Sequence, residues 1–141
     1  MTATSCFMPG SGAAVLSRHA HSLMAAPDQP RPQDGVSLDA LLELHNSHTC
    51  IVRAHGDGMT GAGIHDDDLL VVDRSALACA GEVVVAAVNG EPMVRRLGIL
   101  DGAFALLAAN DRYPPIRIAE GDNLSIWGVV RWNLHRHLAG E

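Results

Sequence analysis

The chain is 141 residues long, 48% hydrophobic and 18% charged, with a formal net charge of −6, which suits one domain with a real core. All ten basic residues are arginine, and this excludes chemistry that needs a titratable amine, such as a Schiff base or a Ser–Lys dyad, because a guanidinium stays protonated at any usable pH. The acidic balance and the lack of a basic stripe argue against direct, sequence-specific DNA binding, since affinity for the phosphate backbone rests on Lys and Arg.

No apolar run approaches the roughly 20 residues of a membrane span, and Arg18, His19 and His21 break any apolar signal segment. Cys6, Cys50 and Cys79 are widely spread and form no CxxC. They read as buried or free thiols of a reducing cytoplasm, and no cofactor or metal is expected.

In chain order, residues 1–35 carry Pro9, Pro27, Pro30 and Pro32 with Gly10, Gly12 and Gly35. Such a stretch cannot form a compact core alone and is read as a flexible N-terminal arm. A short helix over 13–26, with Leu16, Ala20, Leu23 and Met24 on one face, would be ended by Pro27. No helix-turn-helix fits before residue 36. Residues 36–141 are expected to form the folded domain.

That domain opens with an amphipathic helix over 37–45, N-capped by Ser37, with Leu38, Leu41 and Leu42 as its stripe. The period then changes to that of strands. Thr49–His55, Asp68–Asp73, Glu82–Val88, Glu91–Leu97, Ala103–Ala108 and Leu124–Leu138 are strand candidates. Asn89-Gly90 between two apolar runs predicts a two-residue type I′ hairpin. Its register sets Val88 opposite Glu91, Ala86 opposite Met93, and Val84 opposite Arg95. Met93, Arg95 and Leu97 then share a face, and Arg95 reads as an edge residue whose stem packs while its head reaches water. In the last strand Ile126, Gly128, Val130, Trp132, Leu134 and Leu138 are expected on one face, with Arg131, Asn133, His135 and His137 on the other.

Three smaller constellations carry less. Asp66-Asp67-Asp68 reads as a solvated turn rather than a cation site, since ligand loops space their oxygens alternately. His45 and His48 sit where a helix C-terminus favours a cation. His135 and His137 share a strand face, but two imidazoles do not make a zinc site.

The run Val52-Arg-Ala-His-Gly-Asp-Gly-Met-Thr-Gly-Ala-Gly-Ile-His-Asp-Asp-Asp-Leu-Leu-Val-Val-Asp73 is followed in order by Gly81-Glu-Val-Val-Val-Ala-Ala-Val-Asn-Gly-Glu91, Val94-Arg-Arg-Leu97, Tyr113-Pro-Pro-Ile116 and Ile126-Trp-Gly-Val-Val130. Over about residues 36–134 this series resembles the UmuD proteins, relatives of the C-terminal domain of the LexA repressor. The resemblance implies a mostly β, twisted fold with one short N-terminal helix, usually a cytoplasmic homodimer. It implies a Ser nucleophile in a Gly-Asp-Ser-Met turn and a Lys base in a Val-Lys-(Lys/Arg)-Leu strand. It also implies RecA-filament-stimulated removal of the protein's own arm at a Cys-Gly or Ala-Gly bond, and then partnership with a Y-family (UmuC-like) polymerase subunit in SOS translesion synthesis.

Here the nucleophile position falls on Gly58 and the base position on Arg95, so neither member of the dyad is intact. Neither residue can supply the oxygen nucleophile and neutral amine that the chemistry needs. Thr60, with His55 or His65, could substitute only by reaching the same geometry from other backbone positions. Residues 1–35 contain no Cys-Gly or Ala-Gly bond; the stretch Cys6-Phe-Met-Pro-Gly10 has Phe7 after its cysteine. The expectation is a catalytically dead, UmuD-like accessory subunit of a translesion polymerase. The alternatives are a regulator that forms mixed dimers with an active UmuD/LexA-type protein, and an active peptidase with relocated groups.

Overall fold

A computed structural model describes residues 35–138. The expected arm up to residue 34, its helix over 13–26 and the Cys6–Gly10 stretch lie outside the described residues. Among the described residues one α-helix, α1 (Leu38–Leu41), precedes seven strands: β1 (Thr49–Arg53), β2 (Leu69–Asp73), β3 (Val83–Val88), β4 (Glu91–Leu100), β5 (Ala103–Leu107), β6 (Ile116–Arg117) and β7 (Leu124–Leu134). They form one antiparallel sheet in the order β1-β2-β7-β3-β4-β5-β6. The fold is the mostly β one that the patterning and the resemblance imply.

Strand β3 lies at the centre of the sheet, and its sequence VVVAAV reflects burial on both faces. Val85 joins Ala54, Met59, Ile64, Leu70 and Val72 in one core cluster. Val84 and Ala86 point the other way and pack with Leu97, Leu106 and Val129. Residues alternate between faces along a strand, so this one strand ties the two clusters together.

The Asn89-Gly90 hairpin has the predicted register, with Val84 opposite Arg95, Ala86 opposite Met93 and Val88 opposite Glu91. Both turn residues have positive φ (52° and 86°), as type I′ requires. A second turn of the same kind, Asp101-Gly102 (54° and 79°), joins β4 to β5 and lets β4 run to Leu100, beyond the expected Leu97. The Asp-Gly signal for it stands in the sequence.

The structure departs from expectation at both ends of the domain. Helix α1 is one turn long. Ser37 caps it by accepting from the Ala40 amide, but Glu43 adopts a φ of 55° and ends the helical path. Of its leucines only Leu42 is buried, while Leu38 and Leu41 stay exposed. Strand β7 stops at Leu134, and two bulges interrupt its alternation. Ile126 and Gly128 oppose the adjacent residues Ala86 and Val85, and Val130 and Trp132 oppose the adjacent residues Val72 and Val71. Each bulge inserts one extra residue, Trp127 and Arg131, and moves the next side chain to the opposite face. The predicted single face from Ile126 to Trp132 is therefore split.

Of the cysteines, Cys50 is a free thiol as expected, whereas Cys79 departs from expectation in being disulfide-bonded. Among the described residues no helix is long and apolar enough to cross a membrane.

At Gly128 β7 passes close to β2. A Cβ there would lie 2.5 Å from Val72 Cγ1 and 2.9 Å from the Asp73 carbonyl oxygen. Gly128→Ala should therefore lower stability by about 2 kcal/mol through overpacking, read as a reduced denaturant midpoint. An unchanged midpoint would show that the two strands are not in contact as described.

Candidate functional site

The segment linking β1 to β2 folds back on itself and is held from three sides. Inside, Met59 and Ile64 anchor it in the first core cluster. On one flank, Gly56, at a φ of 89°, donates its amide to Asp66 Oδ1 at 2.7 Å. On the other flank the loop after β5 clasps it. Ala109 donates its amide to the Gly58 carbonyl at 2.8 Å, and Gly61 returns one to Ala109 at 2.7 Å. Asn110 Nδ2 donates to the Asp57 carbonyl at 2.8 Å.

The Asp57 carboxylate completes the clasp. It accepts from the Tyr113 hydroxyl at 2.5 Å and pairs with Arg112. The Tyr113 hydrogen bond, helped by the Arg112 charge, holds the Asp57 carboxyl below its ordinary value. The same bond to Asp57 raises the Tyr113 phenol.

Gly58 itself is not required by backbone strain, since its φ lies outside the left-handed range. What faces it is Arg95. A Cβ built on Gly58 would lie 2.7 Å from Arg95 Nη1, 3.1 Å from Cζ and 3.2 Å from Nη2. The guanidinium thus occupies the space that any side chain at position 58 would enter. Arg95 Nη1 donates to the Val94 carbonyl at 2.8 Å, and Cζ lies 5.5 Å from the centroid of the Tyr113 ring, a cation–π distance. Arg95 Nε is enclosed without a hydrogen-bond partner. The expected snorkelling arginine is instead half-buried, with its head turned onto the turn. Between the turn and the start of β4 runs a groove of about 210 Å3, walled by His55, Gly58 and Met59 on one side and by Glu91, Met93 and Arg95 on the other.

The other residues singled out from sequence have different employment. The Thr60 hydroxyl donates to the Asp57 carbonyl at 3.3 Å. The ring of His65 lies 4.7 Å from that of His135, which in turn lies 4.9 Å from His137. Only His55 of these lines the groove. His45 lies 3.4 Å from Asp39 of α1, and His48 lies 3.3 Å from Asp73.

The three aspartates are not one solvated turn. Asp66 caps Gly56, Asp67 pairs with Arg53 at 2.9 Å, and Asp68 is 2% exposed. Asp68 accepts from the His65 amide at 2.8 Å, Asn133 Nδ2 at 3.0 Å and His135 Nδ1 at 2.6 Å. Burial pushes the Asp68 carboxyl up, yet these hydrogen bonds together outweigh it and the net shift is downward. Its role escaped the sequence reading because its side-chain partners, Asn133 on β7 and His135 just past it, lie more than 60 residues away.

The clasped Gly-Asp-Gly-Met turn set against Arg95 of β4 is the arrangement that the sequence resemblance implies for a peptidase-type β domain. The Peptidase S24-like family model matches residues 17–131. Protein MucA of Salmonella typhimurium is 35% identical over 79% of this chain and 77% of its own length. Protein SamA of Salmonella typhimurium strain LT2 is 36% identical over 74% of this chain and 71% of its own. The LexA repressor of Alcanivorax borkumensis is 40% identical over 57% of this chain and 39% of its own. The chain belongs to the Peptidase S24-like family, as a UmuD-like relative of LexA.

Two outcomes follow from this geometry. Asp68→Ala leaves three donors without their charged acceptor and should cost about 3 kcal/mol, measured by chemical denaturation; a loss below about 1 kcal/mol would contradict the buried network. Tyr113→Phe should lower the thermal midpoint in a pH-dependent way. A depressed Asp57 contributes stability above its unfolded value that is lost as pH falls through its folded one. A raised Tyr113 contributes stability below its unfolded value that is lost as pH rises through its folded one. The gap between wild type and variant should therefore be widest from about pH 4 to pH 10 and shrink on both sides. A gap that does not change with pH would disprove the clasp.

Proposed function

We propose that this chain is a catalytically dead, UmuD-like accessory subunit of an SOS translesion DNA polymerase, a cytoplasmic protein that works by binding. In this reading residues 1–35 are the arm and 36–141 the domain. Gly58 stands at the family's nucleophile position and Arg95 at its base position. The observation that carries the reading is the position of the Arg95 guanidinium in the space that a side chain at 58 would enter. The two positions still face each other as a nucleophile and base should, but one has no oxygen and the other accepts no proton.

In this reading neither Thr60 nor His65 replaces the dyad: the hydroxyl is turned to the Asp57 carbonyl and the His65 ring lies against His135, tilted by 46°; His55 lines the groove but faces no nucleophile at Gly58. The partners this reading assigns are a second copy of the chain, a UmuC-like Y-family polymerase subunit and the RecA filament. Exposed Trp127, Leu134 and Leu138 along the end of the chain favour an oligomer that covers them. The same surface suits the second reading, a mixed dimer that titrates an active UmuD/LexA-type relative. Affinity capture from DNA-damaged cells separates the two: the first predicts a Y-family polymerase, the second an intact relative.

The wild-type chain should keep its full mass at pH 10, with or without an activated RecA filament, because a guanidinium does not serve as a general base at any usable pH. Gly58→Ser alone should also stay intact, since its hydroxyl still lacks a base. Mass spectrometry of protease-free protein checks both, and a fragment lacking the arm would overturn the reading.

A further inference from the structure

Asp68 is the one buried charged residue among the described residues. Its Oδ2 accepts the His65 amide at 2.8 Å, and its Oδ1 lies 2.6 Å from His135 Nδ1. One carboxylate thus positions the backbone of His65, in the segment that leads into β2, and the ring of His135, just past the end of β7. The His135 ring has two imidazole neighbours, with centroids 4.7 Å away at His65 and 4.9 Å away at His137. None of these three histidines lines the groove beside Gly58.

An ionised carboxylate only accepts, so a neutral His135 ring carries its proton on Nδ1 and keeps its lone pair on Nε2. A carboxylate in this position fixes the tautomer of a metal-binding histidine and raises its basicity. Among the described residues the His65 and His137 rings make ring contacts but no side-chain hydrogen bond, which leaves their nitrogens available. Two imidazoles on one tetrahedral zinc, with Zn–N bonds of about 2.0–2.1 Å, set their ring centroids about 5 Å apart. Both pairs here have that spacing. No group of three such side chains among the described residues stands ready around one point, so an ion must draw the His65 and His137 rings inward. Both residues are exposed, and rotation about their side-chain torsions costs rotamer freedom without moving the backbone that Asp68 holds.

We propose that His65, His135 and His137 form a binding site for a divalent transition-metal ion, with Asp68 as the carboxylate that orients His135. Imidazole nitrogens suit zinc, nickel or copper, whereas magnesium and calcium favour oxygen ligands. Three nitrogen ligands leave the fourth tetrahedral position of zinc to water or to a donor from another molecule. The ion clips the end of β7 to the segment that leads into β2. His135 and His137 alone do not make such a site; the fold supplies the third imidazole and the orienting acid.

The test titrates zinc chloride into the metal-free, full-length chain by calorimetry and reads the thermal midpoint with and without zinc. The wild type should bind zinc and gain in midpoint, because an ion held by the folded state alone stabilises it; magnesium chloride should do neither. His65→Gln, His135→Gln and His137→Gln each remove one exposed ligand and should each weaken zinc binding at least tenfold. His45→Gln, whose ring lies against Asp39, should leave it unchanged. Asp68→Asn keeps all three ligands and should weaken zinc by about tenfold or more; the histidine variants decide the question should that protein fold poorly. No zinc uptake by the wild type, a loss smaller than tenfold in any of the three histidine variants, or an equal loss in His45→Gln would overturn the proposal.

Discussion

The contact on which the site depends is the one between the Arg95 guanidinium and the Cα of Gly58. Each residue makes sense only beside the other. A side chain at 58 would collide with Nη1 of Arg95, although the Gly58 backbone lies outside the left-handed range and would accept other residues. The guanidinium lies there because 58 is bare, and as the far end of a flexible side chain it would have to shift if 58 carried a Cβ. Neighbours coupled in this way are where non-additive behaviour in a double-mutant cycle is expected.

The surrounding structure keeps this contact in register by means that do not depend on chemistry at the site. The Asn89-Gly90 turn fixes the register of β4 on β3 and so sets Arg95 opposite Val84. The clasp of Asp57, Asn110, Ala109 and Tyr113 fixes the turn that carries Gly58. Asp66 and Asp68 brace the return of the same segment from the other side. A scaffold this heavily cross-linked around a turn without a nucleophile is consistent with a surface kept for recognition.

The parts of this structure that were legible in the sequence are those governed by local rules. Asn89-Gly90 gave its turn type and register by counting, because a type I′ turn admits few residues and the strand period is two. The ordered motifs gave the fold and drew attention to Gly58 and Arg95. What was not legible depends on distant contacts. The alternation of β7 reads as unbroken, yet the bulges at Trp127 and Arg131 become visible only when the neighbouring strands are in place. Asp68 looks like the last of three solvated acids until Asn133 and His135 arrive from 65 and 67 residues away. Arg95 reads as a snorkelling side chain because Met93 and Leu97, which share its strand face, are apolar, and nothing local indicates that its head folds onto Gly58.

The central claim is that this site lacks only its two reacting groups. It is tested most directly by rebuilding them together, as Gly58→Ser with Arg95→Lys, and following cleavage in trans of a peptide that contains an Ala-Gly bond between pH 7 and pH 10. The account predicts cleavage by the double variant that accelerates as the lysine loses its proton, with none by the wild-type chain at any pH. Cleavage by the wild-type protein, or a folded double variant that is inert throughout, would contradict it.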